Sequence, residues 1–317
     1  MAEIGKDINR AKQLLTEGKL VAIPTETVYG LAANALNEKA VLEIFKAKNR
    51  PQFDPLIVHV ATLAQAEALA STFPVKAKAL AQKFWPGPLT LLVPKKEIVP
   101  DLVTSGLNTV GLRCPDHTLT LQLLQSLSFP LAAPSANPFG YVSPTTPQHV
   151  NEQLGDKVAY ILDGGECRVG IESTIVGFES EQPTVYRLGG LAVETIEPIT
   201  GLLQVQLHSS SNPQAPGQLQ SHYAPGKKII LGTQAQLQAQ LKAGAGTIMF
   251  QNALPGIPAN QQIILSANGN LEEAAQHLFA ALRTLDKTTV EVILAELVPE
   301  TGLGRAINDR LRRAAAR

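Results

Sequence analysis

Cysteine is nearly missing: the 317-residue chain has two, Cys114 and Cys167, far apart and near no histidine at metal-ligand spacing. Two reduced, buried thiols are therefore expected, and a disulfide framework or a zinc site is not. Charge of one sign is missing too, with 27 Lys plus Arg against 27 Asp plus Glu. A chain without net charge has no global field to attract a long polyanion, so nucleic-acid contact would need a local patch. Aromatic residues make up 5%, too few for an obvious base-stacking surface. No apolar run approaches the ~18 residues of a membrane span, and the N-terminal MAEIGKDINRAKQLL is charged, without an apolar signal core. The expected location is the cytoplasm. There is no glycine-rich phosphate loop ending in Lys-Ser or Lys-Thr, no HExxH, no GxSxG and no convincing Ser/His/Asp set, and the six histidines are scattered. The chemistry is not expected to need a covalent protein nucleophile or a protein-held metal.

What the chain does have is length and pattern. Its length suggests two domains, or one large one, with a sizeable core, and 44% hydrophobic against 17% charged residues excludes a largely disordered chain. Residues 7–17 put Ile8, Ala11, Leu14 and Leu15 on one helical face before Gly18. A second helix over 38–48 starts at Asn37 and carries Val41, Ile44 and Phe45 inward. Strands are expected at 20–24, 56–60, 89–93, 109–113, 130–133, 158–162, 174–178 and 184–188, with helices near 63–71, 75–84, 117–126 and 146–154. This is a mixed α/β pattern over 1–203 without clean βαβ alternation. Residues 204–227, QVQLHSSSNPQAPGQLQSHYAPGK, are polar and rich in Ser, Gln, Pro and Gly, and read as a linker. Over 228–317 strands at 228–232, 246–250, 262–265 and 290–296 alternate with helices at 234–242, 271–285 and 304–314. That reads as a small Rossmann-like α/β domain with a parallel sheet. It lacks GxGxxG, so nothing supports nucleotide binding there.

Six stretches carry polar chemistry. PTETVYGLAA (24–33) leaves a strand with Thr25, Glu26, Thr27 and Tyr29, where α/β sheets bind ligands; a hydroxyl-rich turn without a ligand is the plain alternative. KAKNRP (46–51) ends a helix with cations, which also suits the helix dipole alone. His59 interrupts the apolar strand PLIVHV, as a site residue or as a satisfied core histidine. PLAAPSANPFGYVSPTT (130–146) runs from a strand into Ser135, Asn137, Gly140, Ser143 and Thr145, small and polar enough for close approach to phosphate or ribose, or simply a Pro-stiffened loop. GIESTIVG (170–177) brings Ser173 and Thr174 into a strand, and Arg187 of VYRLGG, like Arg113, closes one.

PTETVYGL, KxRP followed by PLIVHV, SAN after a strand, ESTIV and a late YRxG occur in this order. Together they resemble the threonylcarbamoyl-AMP synthase family of the YrdC type. HYAP at 222–225 before a small α/β domain resembles its two-domain branch. The resemblance implies a twisted mixed sheet with surrounding helices forming a concave basic cleft. It implies a nucleotidyltransferase making L-threonylcarbamoyl-AMP and pyrophosphate from L-threonine, bicarbonate and ATP, with Mg2+ on the ATP phosphates. The product would pass to a tRNA threonylcarbamoyltransferase for N6-threonylcarbamoyladenosine in tRNA, without strong direct nucleic-acid binding or membrane contact by this chain. By motif position the catalytic tetrad falls on Lys48, Arg50, Ser135 and Asn137. ATP or AMP contacts fall on Arg50, Asp54, Thr109, Ser135, Asn137, Ser143 and Arg187, with His222 and Tyr223 closing over the nucleotide. Threonine contacts fall on Thr27, His59, Arg113, Ala133 and Ser173. Asn49 stands where the family commonly has glycine and Asp54 where asparagine is common. An acid there needs a metal or Lys46 to offset it. Gln218 replaces the methionine of the linker motif, which would weaken the linker's grip. Two other readings stand beside this one: an RNA-binding module using the cleft, and carbamoyl transfer through a carbamoyl-adenylate.

Overall fold

The computed structural model describes residues 1–178, 182–207, 213–219 and 221–316. Side chains of the expected kind set the helix ends. Asp7 caps α1 (Ile8–Thr16) by accepting from the Asn9 and Arg10 amides, and Asn37 caps α2 (Glu38–Lys48) at Lys39 and Ala40. α2 stops at Asn49, which is left-handed with φ 51°. Asparagine tolerates that conformation better than other side chains, which explains why it can stand where glycine is common. The turn, followed by Pro51, carries Arg50 off the helix axis.

Among the described residues eleven strands form one twisted mixed sheet: β1 (Glu3–Gly5), β2 (Val21–Ile23), β3 (Gly30–Asn34), β4 (Ile57–His59), β5 (Leu89–Pro94), β6 (Thr109–Arg113), β7 (Leu131–Ala132), β8 (Tyr160–Leu162), β9 (Thr174–Gly177), β10 (Thr184–Arg187) and β11 (Gln204–Val205). Their spatial order is β1-β8-β2-β3-β7-β4-β6-β5-β9-β10-β11. Around the sheet lie α1, α2, α3 (Leu63–Leu69), α4 (Val75–Phe84), α5 (Asp101–Thr104), α6 (Thr118–Ser126), α7 (Pro147–Leu154) and α8 (Val193–Thr200). α1 buries Ala11, Leu14 and Leu15 against Leu123 and Leu124 of α6 and Tyr160 and Leu162 of β8. Each leucine contributes roughly 1.5–3 kcal/mol by that burial.

Two expectations are corrected here. PTETVYGLAA leaves strand β2 as expected but is not loop throughout: PTETVY joins β2 to the antiparallel β3, which takes up GLAA. The polar stretch read as a linker contains β11, and Ala215, Pro216, Gly217, Gln218, His222, Tyr223 and Ala224 in it are buried. Its backbone finds partners inside the protein, so polarity of sequence did not mean exposure.

The C-terminal sheet is parallel, in the order β12-β15-β13-β14, from β12 (Lys228–Gly232), β13 (Ala245–Met249), β14 (Gln262–Ile264) and β15 (Val292–Glu296). Its helices are α9 (Gln234–Ala239), α10 (Leu271–Lys287) and α11 (Gly304–Ala315). α10 seats directly on the first domain. Its Arg283 donates to the carbonyls of Val142 and Ser143 and to Gln153, and stacks 5.2 Å from the Tyr141 ring. At Gly170 a Cβ would come within 2.3 Å of the Gln276 backbone, so the close approach of α10 requires glycine.

Candidate active site

β4 and β6 run parallel with His59 opposite Arg113, which brings both side chains to the carboxyl ends of neighbouring strands. Ser135 follows β7 and bridges to Gly30 of β3. Arg187 ends β10, and Ser173 precedes β9, its antiparallel neighbour. These ends converge on a cavity lined by Arg50, His59, Arg113, Ala133, Ser135, Arg187, His222 and Tyr223, together with Thr25, Glu172, Pro216 and Gly217. Eight of the residues expected at the site thus meet at one place. The enclosed space is about 50 Å³, far below the ~300 Å³ at which ligand pockets begin. Pro216, Gly217, His222 and Tyr223 of the linker form part of its wall.

The three arginines are held individually. Arg113 Nη2 lies 2.7 Å from Thr27 Oγ1 and 2.8 Å from Glu26 Oε1, while its Nε has no partner. Thr27 Oγ1 is in turn 2.8 Å from Thr25 Oγ1. Arg187 donates from Nε to the Ser173 carbonyl and from Nη2 to Ser173 Oγ, both at 3.0 Å, and Thr90 Oγ1 stands 2.7 Å from that hydroxyl. Burial lowers Arg187 to about 10. Arg50 pairs with Asp54 at 2.9 Å and donates to the carbonyls of Asp54 and Pro55. Burial pushes the Asp54 carboxyl up, and Arg50 pulls it back. Asp54 is therefore offset by Arg50, not by Lys46, which is exposed and paired with Glu43. Burial takes His59 and His222 down to about 3, so both rings are neutral near pH 7.

Lys48 is not in the cavity wall, although the tetrad reading made it catalytic. It is fully buried, and its Nζ donates to the carbonyls of Ser135 and Asn137. Burial holds it well below the usual lysine range. It anchors the SAN turn from behind. Asn137 also supports that turn, donating from Nδ2 to Pro138 at 2.9 Å and Tyr141 at 2.8 Å, with Oδ1 unpartnered. Ser143 donates to Glu172. Thr27 and Ser173 stand behind Arg113 and Arg187, outside the cavity lining. Thr109 is not brought in: it opens β6, four residues before Arg113, and pairs with Pro94 at the other end of the strand.

Glu172 lines the cavity and was missed, although it lies within the ESTIV stretch. Burial alone would raise its carboxyl, but Arg310 and Arg187 hold it below its usual range. Arg310 Nε reaches it at 2.8 Å from α11, 138 residues away, and no local pattern signals that pairing. Gln218, which put the linker's grip in doubt, is bonded within the linker. Its Oε1 accepts from the Gln214 and Ala215 amides, and its Nε2 donates to the Gln206 carbonyl. Gly217, at φ 81°, lies so close to Tyr223 that a Cβ would meet its hydroxyl at 2.9 Å.

Among the described residues no group of three or more His, Cys, Asp or Glu is placed to hold a metal, and no helix is long and apolar enough to cross a membrane.

Comparison with known proteins gives the same picture. A family model described as "Telomere recombination" (Sua5, YciO and YrdC) matches residues 13–189, and one described as "Threonylcarbamoyl-AMP synthase, C-terminal domain" matches residues 191–316. The chain is 43% identical to the threonylcarbamoyl-AMP synthase of Pyrococcus abyssi, over 97% of this chain and 93% of that protein. It is 40% identical to that of Bacillus subtilis, over 97% and 92%. The crystal structure of the P. abyssi Sua5 protein complexed with L-threonine superposes with a TM-score of 0.92 at 42% identity, covering 99% of this chain and 97% of that one.

Proposed function

The chain belongs to the two-domain threonylcarbamoyl-AMP synthase family, and on that premise we propose how its cavity makes L-threonylcarbamoyl-AMP from L-threonine, bicarbonate and ATP. The carrying observation is that Arg50, Arg113 and Arg187, from three separate elements, line one cavity. Arg113, with the unpartnered Nε beside His59 and Ala133, suits the threonine carboxylate. Arg50, Ser135 and Arg187 suit the triphosphate.

The amine of threonine combines with bicarbonate to give a carbamate and water. A carbamate oxygen attacks the α-phosphorus, a P–O bond forms, and pyrophosphate leaves with the electron pair of the bond that breaks. The nucleophile is already anionic, so no protein base is needed. The obstacle is anion against anion: two unit charges ~4 Å apart repel by about 4 kcal/mol at an effective dielectric of ~20. Three guanidinium groups offset this and favour charge growing on the leaving group. Fixed positioning contributes roughly 7–11 kcal/mol more. Mg2+ would arrive on the ATP phosphates, and it would supply further neutralisation of their charge.

The linker must lift to admit ATP, which about 50 Å³ does not hold, and it returns to keep water from the carbamate and the mixed anhydride. The product would be consumed in the cytoplasm by a tRNA threonylcarbamoyltransferase. The test is incubation with ATP, threonine and bicarbonate, followed by mass spectrometry for the adenylate, omitting each substrate in turn. An adenylate that forms without threonine would point to carbamoyl transfer. No adenylate, with RNA retained in a steeply salt-dependent way, would point to an RNA-binding module.

A further inference from the structure

α11 turns one face toward the linker and the active cavity, and that face carries Asp309, Arg310 and Arg313, all buried. A buried guanidinium persists only where its donors are met, and the partners of Arg313 are backbone carbonyls of the linker. Its Nη2 donates to Leu207 at 2.7 Å, and its Nη1 donates to Gly217 and, at 2.8 Å, to Leu219. The fork thus ties together two parts of the linker that lie on either side of residues 208–212. Asp309 fixes the fork from the other side, with Oδ1 2.9 Å from Arg313 Nε and Oδ2 2.7 Å from Arg310 Nη1. Arg310 then holds Glu172 and sits 4.8 Å over the Tyr223 ring. Gly217 packs against Arg187 and Tyr223, and Pro216 offers its carbonyl to Arg187 Nη1 at 3.5 Å. Whatever fixes Gly217 therefore fixes the cover of the cavity.

We propose that Arg313 is a positioning residue: a latch by which the C-terminal domain holds the linker over the active cavity. The latch rests on the reading of the linker as the cover of the reaction, but the two can fail separately. The reacting atoms are never touched by Arg313. Its removal lets the linker open more often, and water then hydrolyses the mixed anhydride to AMP, the released carbamate reverting to threonine and bicarbonate.

The experiment uses the full chain with Arg313→Gln. The comparison variant is Arg312→Gln on the same helix, whose side chain is exposed and paired with Glu300. Hydrogen exchange of residues 213–223 is measured without substrates, and pyrophosphate per recovered adenylate is measured with them. Losing even one charge-assisted contact speeds linker exchange in Arg313→Gln by about tenfold or more, with no change in Arg312→Gln. The pyrophosphate-to-adenylate ratio rises severalfold above parity, which a smaller folded fraction alone would not produce. Arg313→Lys, which keeps the charge but not the fork, falls between, and it carries the comparison if Arg313→Gln does not fold. Unchanged linker exchange in these variants overturns the latch. Faster exchange with the ratio still near parity keeps the grip of Arg313 on the linker but overturns the linker as the cover.

Discussion

Replacing Lys48 by methionine separates a structural anchor from a catalytic cation. The stem of the side chain is kept and the nitrogen is lost. In the native protein that nitrogen satisfies the carbonyls of Ser135 and Asn137 in a fully buried place. Either protonation state can do so, because a neutral amine still has two hydrogens to donate. Without it two acceptors are buried with one partner fewer, at about 1–3 kcal/mol each. The expected loss is therefore roughly 2–6 kcal/mol, a large part of a typical 5–15 kcal/mol stability. Urea unfolding followed by circular dichroism reads it as a lower midpoint at constant slope. Residual activity should fall because the SAN turn loosens, with KM for ATP rising as Ser135 loses its place in the cavity wall. A variant that unfolds within about 0.5 kcal/mol of wild type yet has lost turnover would refute the anchor and return Lys48 to direct contact with substrate.

Arg50→Ala should remove ATP-to-pyrophosphate turnover, since a charge-assisted phosphate contact contributes ~1.5–3 kcal/mol; undiminished turnover in a pyrophosphate-release assay would take Arg50 out of the site. Acid should destabilise the protein through His59 and His222. Both lie near 3 when folded, against an ordinary value of 6.5, so the unfolded chain takes up protons that the folded one refuses. Their neutral forms leave stability complete above about pH 6.5, and it declines as pH falls toward 3. At pH 4.5 each histidine costs about 2–3 kcal/mol. His222→Asn should shrink the difference in denaturation midpoint between pH 7 and pH 4.5, and an undiminished difference would contradict the assignment.

Much of this architecture is legible in the residues, and the exceptions share a cause. The C-terminal domain reads strand by strand because runs such as KIILG and VILAE are short, apolar and bounded by turns. β3 does not, because GLAAN is made of small residues with little preference for strand; it is extended because β2 and β7 pair with it. The cations of the cavity announce themselves by closing strands or a helix, as Arg113, Arg187 and Arg50 do. What stays hidden is second in line. Lys48 looks like its neighbour Arg50 until its partners are known. Glu172 passes for one acid among hydroxyls, and the burial of residues 215–218 and 222–224 depends on arginines roughly a hundred positions downstream. Periodicity sees a side chain's own element, and these roles are set by another.

The pairing of Glu172 with Arg310 also sets a timetable. The ribosome delivers Arg187, the last cavity-lining arginine of the first domain, 126 residues before Arg313, or about 6–25 s earlier at usual elongation rates of ~5–20 residues per second. Through that interval Glu172 of a nascent first domain has Arg187 and Ser143 beside it but not yet Arg310, and the linker lacks the grip of Arg313. Both contacts are completed only when α11 leaves the ribosome and docks, so the cavity of a nascent chain is assembled in two stages.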